Sequence, residues 1–419
     1  MSVCPEEKAY AARLFDTVRA MSEDVRGVTR QGYGPVETKV LDFLTEEGKA
    51  LGLEVETDAA GNVWMTMPGR DRTRPAFVAG SHVDSVPQGG NFDGLAGVVA
   101  ALVAARRMKE EGFVPAVDYR VLMMRCEESS FFGKAYVGSL GMLGKLKASD
   151  LALRHRTANM TLADAIRSTG VDPERLTTGE PVVDLSKFGA FVELHIEQGP
   201  TLTSRTSPRV GVVTGIRGNI RHKTVVCYGE TAHSGAVDKA YRHDAVMAAA
   251  ELFHTMDRHW DEFLARGEDL VFTVGVVKTG ETAAISVIPG EVRFTIDMRS
   301  LHTKTLEAFH ELLLQEARRI GEARGVRFDF DGALPTAPAV LSETVSKHLH
   351  ETAQASGIPV MPIASGAGHD SAVFANVGIP AAMIFIANQH GSHNPDEAME
   401  LDDFLTGAAL LAQAVRRYA

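Results

Sequence analysis

Two hydrophobic periods alternate along most of the chain. Apolar residues recur every three or four positions in segments such as 5–21 and 35–51, which predicts amphipathic helices, each opened by a proline. Short apolar runs at 75–80, 118–125 and 190–194 predict buried strands between such helices. The alternation of helices and strands predicts an α/β layered fold.

Residues 210–330 follow a different pattern. The segment 292–298 alternates strictly between apolar and polar residues, which is typical of a half-exposed antiparallel strand. The other elements predicted here are strands at 210–216, 220–228, 271–278 and 326–330, and helices at 245–264 and 305–324. We therefore expect a small α+β domain of residues 210–330, inserted into a larger domain made of residues 1–209 and 331–419.

The composition of the chain indicates which kinds of partner and which cellular compartment to expect. A length of 419 residues allows two domains, and the net charge of -11 argues against nucleic acid as a partner. The three cysteines are far apart with no CxxC pair, which favours a reducing compartment. Residues 1–15 carry charges where a secretory signal needs an apolar run, and the longest apolar stretches fall short of the ~20 residues that span a bilayer. We expect a cytoplasmic protein without a membrane or nucleic-acid partner.

Potential metal ligands lie at the ends of predicted strands. In α/β sheets these ends are where ligands gather, and imidazole and carboxylate groups suit divalent cations of the zinc type. The residues are His82, Asp93, Glu128, His195 and His393. Other interpretations stay open from spacing alone, because such a histidine can be structural, an aspartate after two glycines can form a turn, and paired glutamates can lie on the surface.

Two further carboxylates suit supporting roles. Asp84 lies two residues after His82 on an extended segment, so both side chains can point the same way and the carboxylate can hold the second imidazole nitrogen. Glu127 and Glu128 are adjacent, so one of them must lie in a loop if both reach the site. One would be a metal ligand and the other a base that accepts a proton from water.

Several motifs resemble one family of enzymes, the hydantoinase/carbamoylase amidases. This family includes N-carbamoyl-L-amino-acid hydrolases, allantoate amidohydrolases and β-ureidopropionases, within the dinuclear zinc aminoacylase/carboxypeptidase group. The strings ELHIEQGP and SGAGHD are the most specific, and the likeness runs in the same order along nearly the whole chain. The matching segments are 80–84, 90–94, 127–128, 193–200, 365–370 and 391–393.

The resemblance implies a fold and a metal centre. The fold would be a catalytic domain with a mainly parallel mixed sheet flanked by helices, plus an inserted lid domain that also forms a homodimer. His82, Asp93 and His195 would hold one divalent ion, and Asp93, Glu128 and His393 a second, with Asp93 bridging. Each subunit would therefore bind two divalent ions. Zn²⁺ is the favoured metal, and Mn²⁺ and Co²⁺ also suit these ligands.

The resemblance also implies roles around the metals. Glu127 would be the general base and Asp84 the partner of His82. His233 would stabilise the developing oxyanion in the site of the partner subunit, and Arg299 would bind the substrate carboxylate. From sequence alone, His233 can equally be a surface histidine and Arg299 a member of a surface salt bridge.

The other expected substrate-binding positions match the family only in part. Gln198 and His369 match substrate-side polar residues of the family. Ser286 stands where the family usually has an asparagine that can donate to the substrate carboxylate, and residues 236–239 also depart from the usual segment. These departures leave the identity and chirality of the substrate open.

We therefore expect a metal-dependent amidohydrolase that cleaves the C–N bond of a linear ureido or carbamoyl group and releases ammonia and carbon dioxide. An allantoate amidohydrolase is an alternative, as is an N-acyl-amino-acid hydrolase or dipeptidase on the same scaffold. The substrate would be a small ureido or N-acyl acid. The rival classes are a binding protein that has lost its metals and a purely structural oligomer.

Overall fold

The computed structural model describes residues 5–419, and the chain divides into two compact units. The first unit runs to Thr214 and resumes from Val340 to Ala419, and the second comprises Gly215–Ala339. The boundaries expected from the sequence, at 210 and 330, lie a few residues before those of the structure.

The elements alternate as the hydrophobic pattern predicts. The helices are α1 (Pro5–Ser22), α2 (Pro35–Ala50), α3 (Leu95–Glu110), α4 (Val137–Met142), α5 (Leu162–Ser168), α6 (Ala245–Ala265), α7 (Thr303–Arg324), α8 (Glu343–Ser356), α9 (Asp370–Asn376) and α10 (Leu401–Arg417). The strands are β1 (Glu54–Thr57), β2 (Val63–Met67), β3 (Ala76–His82), β4 (Tyr119–Met124), β5 (Phe188–Ile196), β6 (Val210–Ile216), β7 (Gly218–Tyr228), β8 (Ala232–His233), β9 (Val271–Thr279), β10 (Val287–Ile288), β11 (Glu291–Ser300), β12 (Arg327–Phe330), β13 (Leu334–Thr336), β14 (Val360–Ser365) and β15 (Ala381–Ile386). Among residues 5–419, no helix combines the length and the apolar character that crossing a membrane requires.

A mixed eight-stranded sheet organises the first unit. Its strand order is β1-β2-β4-β3-β5-β15-β6-β14. Strands β4, β3, β5 and β15 run parallel, whereas β1, β2 and β6 pair antiparallel with their neighbours. Strand β3 is buried along its whole length, as expected for a parallel strand covered by helices on both faces. The predicted α/β fold with a mainly parallel mixed sheet is therefore confirmed.

Helix α3 anchors the core of this unit. Residues 95–105 are all buried, so the helix is apolar on every side and packs against α1 and α10 as well as the sheet. Gly97 permits the close approach, because a Cβ there would lie 2.2 Å from the carbonyl oxygen of Leu194. The beginning of α3 is thereby held beside the carboxyl end of β5.

The second unit is an antiparallel sheet with two helices. The sheet has the order β12-β7-β11-β9, with β13 also paired to β7, and α6 and α7 share one core with it. Val292, Phe294, Ile296 and Met298 of β11 are buried, which is the apolar alternation predicted from the sequence. Strands β8 and β10 form a separate two-stranded ladder.

The short elements escaped prediction. Helices α4, α5 and α9 have six or seven residues, fewer than two full turns, so they carry too few positions for a helical period to be recognised. The strand predicted at 75–80 extends to His82.

Close packing of β3 against β4 makes Gly80 a sensitive position. A Cβ at Gly80 would lie 1.8 Å from the carbonyl oxygen of Leu122, so Gly80→Ala must push the two strands apart. We expect the free energy of unfolding, measured by chemical denaturation, to fall by about 1–3 kcal/mol. Gly332→Ala is the matched control, because a Cβ at Gly332 has no atom within 4 Å, and it should leave stability nearly unchanged.

Candidate active site

The carboxyl ends of the parallel strands bring the predicted ligands together. His82 is the last residue of β3, His195 lies one residue before the end of β5, and Glu128 follows β4 in a loop. Asp93 directly precedes the turn into α3, and His393 lies beyond β15. All of these are buried except His393, which is exposed. Five residues that are scattered along the sequence therefore share one edge of the sheet.

The five side chains form two groups that share Asp93. Asp93 Oδ1 lies 3.1 Å from His195 Nε2 and 3.6 Å from His82 Nε2. Asp93 Oδ2 lies 3.3 Å from His393 Nε2, which is 3.1 Å from Glu128 Oε1. In each group of three, the potential ligand atoms lie within 4.8 Å of one another. Each oxygen of Asp93 thus faces a different group.

The chemistry of this donor set fits divalent cations. Burial opposes ionisation of Asp93, but hydrogen bonds from His195, His393 and His82 hold its pKa well below the usual value. Burial raises the pKa of Glu128, and the contacts with His393 and His82 compensate its charge only in part. Imidazole nitrogens and carboxylate oxygens grouped in this way are zinc-type ligands, and a bound cation would balance the buried negative charge.

Asp84 supports both the histidine and the glutamate pair. His82 Nδ1 lies 3.3 Å from Asp84 Oδ1 and 3.2 Å from the carbonyl oxygen of the same residue. The two oxygens of the Asp84 carboxylate accept the backbone N–H groups of Glu127 (2.9 Å) and Glu128 (3.0 Å). The first contact was predicted from the spacing, but the second was not. Asp84 therefore fixes the loop that carries both glutamates.

Glu127 lies beside the ligand groups. Its Oε2 is 3.9 Å from His82 Nε2, and its side chain is buried. Burial raises the pKa of Glu127 well above its usual value, with the neighbouring carboxylates acting in the same direction and His82 against them. The residue is not part of either group of three. A buried carboxylate in this position can accept and return a proton.

Gln198 and His369 also reach this site. Gln198 Nε2 donates to Asp93 Oδ2 at 2.9 Å. The ring of His369 lies 4.5 Å from that of His195, and its Nε2 contacts the hydroxyl of Ser365 at 3.0 Å. Burial is the main cause that lowers the pKa of His369 well below its usual value.

The sequence did not identify Glu397. This buried residue accepts the backbone N–H groups of Phe92 (2.8 Å) and Asp93 (3.2 Å) and the hydroxyl of Ser392 (2.9 Å). Burial, together with Asp93, raises its pKa to about 7. Its closeness to His393 in the sequence was the one available signal. Glu397 orients the turn that presents Asp93.

Strained backbone is concentrated around the site. Left-handed φ values, which are uncommon for residues other than glycine, occur in the segments that carry the glutamates, Gln198 and His393. Within residues 5–419 they are found at Cys126 (52°), Tyr136 (64°), Gln198 (64°), His390 (64°) and His393 (60°), and also at Tyr33 (52°) and Gln88 (50°). Such conformations persist only where surrounding contacts enforce them, and they occur preferentially at functional sites.

The second unit contains the remaining predicted residues. His233 and Val287 are partners in the β8–β10 ladder, and the carbonyl oxygen of Ser286 accepts the N–H of Ser234 at 2.9 Å. The N–H of Gly235 donates to His233 Nδ1 at 3.1 Å, so the neutral ring carries its proton on Nε2. The structure thus places His233 and Ser286, which are both exposed, next to each other at this ladder.

Arg299 lies on β11 of the same unit. Its Nη2 is 2.6 Å from Asp297 Oδ2, and its side chain is 30% exposed. The ion pair expected for a structural arginine is therefore present, and the guanidinium group still reaches solvent.

Comparison with known proteins places the chain in a family. Residues 78–417 match peptidase family M20/M25/M40, so the chain belongs to this family. It is 32% identical to the N-carbamoyl-L-amino-acid amidohydrolase of Paenarthrobacter aurescens, over 98% of each sequence. It is 31% identical to the allantoate amidohydrolase of Escherichia coli (strain K12), over 92% of each.

Solved structures agree with this placement. A hydantoinase/carbamoylase family amidase from Burkholderia multivorans matches with a TM-score of 0.87 and 28% identity, over 97% of both chains. The predicted relationship to the hydantoinase/carbamoylase amidases, and with it the prediction of a hydrolase for C–N bonds of linear amides, is confirmed.

The double role of Asp84 generates a prediction. In Asp84→Asn, one of the two backbone N–H groups of the glutamate loop would face an amide nitrogen instead of an oxygen. We expect kcat or metal affinity to fall about 10- to 100-fold, as for other residues that orient metal ligands. Metal titration and steady-state kinetics would measure this. Asp396→Asn, a change at an exposed aspartate, should alter neither quantity, and a similar Asp84→Asn result would contradict the assigned role.

Proposed function

We propose that this protein is a metal-dependent amidohydrolase that cleaves the C–N bond of a linear carbamoyl or ureido group and releases ammonia and carbon dioxide. The observation that carries the proposal is the pair of ligand groups sharing Asp93, with the buried Glu127 beside them. Relatives named N-carbamoyl-L-amino-acid amidohydrolase and allantoate amidohydrolase support this choice of bond.

His82, Asp93 and His195 would hold one divalent ion, and Asp93, Glu128 and His393 a second, with Zn²⁺ favoured and Mn²⁺ or Co²⁺ as alternatives. Such ions, when bound, polarise a carbonyl group and lower the pKa of a water molecule to about 7. Proton transfer and substrate binding would be carried out by side chains of the protein.

Glu127 would act as the general base and then as the general acid. Its carboxylate takes a proton from the attacking water and delivers it to the nitrogen whose bond to the carbonyl carbon breaks. Its raised pKa, caused first by burial, favours the return of that proton. Asp84 holds Glu127 and His82 in place through the contacts described above.

The second unit would act as a lid and as the surface of a homodimer. Arg299 would bind the carboxylate of a small ureido or N-acyl acid, because a guanidinium group can donate two parallel hydrogen bonds. His233 would donate from Nε2 to the developing oxyanion, in line with the tautomer that Gly235 imposes. Ser286, Gln198 and His369 would provide further polar contacts to the substrate.

Two of the substrates named among the relatives are the candidates tested first. N-Carbamoyl-L-amino acids are the first candidate, and allantoate is the second, since relatives of both names match at 31–32% identity. The test is ammonia release from both classes after reconstitution with Zn²⁺, Mn²⁺ or Co²⁺, with N-acetyl amino acids and dipeptides in parallel. Hydrolysis of the N-acetyl compounds or dipeptides without ammonia release from either ureido class would overturn the proposal.

Removal of the base tests the mechanism. Glu127→Gln keeps the size of the side chain but cannot accept the proton, so we expect kcat to fall about 10²- to 10⁴-fold while the metal content stays at the wild-type level. Glu128→Gln should instead lower the metal content, because Glu128 belongs to one of the ligand groups. Full activity of Glu127→Gln would exclude the proposed role.

The role of Arg299 can be tested against a matched arginine. Arg299→Met should lower kcat/KM about 10- to 100-fold for carboxylate substrates, by loss of a charged hydrogen-bonding partner. Arg293 lies on the same strand and pairs with Glu291 at 2.6 Å, as Arg299 pairs with Asp297. Arg293→Met should change kcat/KM little, and equal effects of the two substitutions would assign Arg299 a structural role only.

A further inference from the structure

A further group of potential metal ligands, separate from the two groups that share Asp93, lies in the second unit. The proposed function uses none of its members. His222 of β7 and His310 of α7 face each other with their Nε2 atoms 2.9 Å apart. On its other side, His222 Nδ1 lies 2.9 Å from Asp331 Oδ1. A carboxylate, an imidazole and a second imidazole therefore form one continuous chain of contacts.

The backbone around this chain is built to hold the carboxylate. The pairing of β7 with β11 shifts between Phe294 and Ile296, so Lys223 and Thr224 form a bulge opposite one residue of β11. The N–H groups of Lys223 (3.1 Å) and Thr224 (3.0 Å) donate to Asp331 Oδ2. Asp331 lies in the gap between β12 and β13, which both pair with β7. Both of its oxygens are thus engaged.

The fixed carboxylate determines which atom of His222 is free for a ligand. Asp331 Oδ1 accepts the proton of Nδ1, so Nε2 of His222 presents a lone pair toward His310. The ring of Phe330, 5.1 Å from that of His222, packs against the imidazole edge-on. An imidazole whose second nitrogen donates to a carboxylate is the usual arrangement of a histidine that binds a metal.

We propose that His222 and His310 form an additional site for a divalent transition-metal ion, distinct from the groups that share Asp93. The ion would be coordinated by the two Nε2 atoms, and water would complete the shell on the side of His310, which is only half-buried, whereas His222 is 2% exposed. Imidazole ligands select Zn²⁺, Cu²⁺ or Ni²⁺ over Mg²⁺ and Ca²⁺.

The geometry needs only a small adjustment. Bonds of about 2.0–2.1 Å at a tetrahedral ion place two nitrogens roughly 3.3 Å apart, so the pair must open by roughly 0.4 Å. For an ion to bind, the proton that His310 Nε2 donates to His222 Nε2 in the observed contact would move to Nδ1 of His310, which frees both Nε2 atoms without a net loss of a proton. A bound ion would link β7 to α7 and stiffen the second unit.

Metal retention in the intact enzyme tests this site. Enzyme with its catalytic ions loaded would be equilibrated with Zn²⁺, and its metal content measured by mass spectrometry. We expect the wild type to retain one more equivalent than His310→Ala or His310→Gln, while His254→Ala, a change at an exposed histidine of α6, retains as much as the wild type. Cu²⁺ added in place of Zn²⁺ should give an electron paramagnetic resonance signal with nitrogen coupling that both His310 variants lose.

Asp331→Asn provides a second measurement. It removes the charge that orients His222 and should weaken the extra equivalent of Zn²⁺ about 10- to 100-fold. Equal metal content in the wild type and in both His310 variants would overturn the proposal. These outcomes do not depend on hydrolytic activity, so the additional site and the proposed function can fail separately.

Discussion

The candidate site of the first unit depends on how the negative charge of one buried carboxylate, that of Asp93, is compensated. Asp93 contacts His82, His195 and His393, receives a hydrogen bond from Gln198, and follows a turn whose backbone is held by Glu397. A buried charge is costly unless it is paired, and the hydrogen bonds from the three histidines favour the ionised form of Asp93. Because the two oxygens face different groups, a single residue joins them into one potential dinuclear centre.

The parallel sheet makes this convergence possible. Ligands that are more than three hundred residues apart in the sequence meet because β3, β4, β5 and β15 end at the same edge. The core below that edge is closely packed: α3 is buried along its first eleven positions, and Gly97 and Gly80 allow contacts that no side chain would permit. Above this core, turns with left-handed backbone at Cys126, Gln198 and His393 carry or adjoin the residues of the site.

The second unit illustrates a different use of backbone irregularity. A bulge in β7 leaves two N–H groups free, and Asp331 uses them as a platform from which it orients His222 toward His310. Two polar residues of the same unit, the exposed His233 and the partly exposed Arg299, contact Gly235 and Asp297 respectively. Under the two proposals, this small domain would contribute both to substrate binding and to the binding of an additional metal ion.

The sequence by itself determined the α/β fold, most long helices and strands, and the family, because periodicity and the ELHIEQGP and SGAGHD strings are local properties of the chain. It named the residues that form both ligand groups, but their spacing left surface and structural interpretations open. Only the tertiary structure decided how they meet, because distances between strand ends depend on sheet order and register.

Tertiary structure alone revealed Glu397, the second function of Asp84 and the His222–His310 pair. Their roles arise from hydrogen bonds between segments that are distant in the sequence, or from a bulge that shifts strand register, and neither leaves a periodic signal. The short helices α4 and α9 were missed for a related reason: they are fixed by packing and side-chain contacts such as that of Ser139 with Asp370, rather than by an amphipathic period.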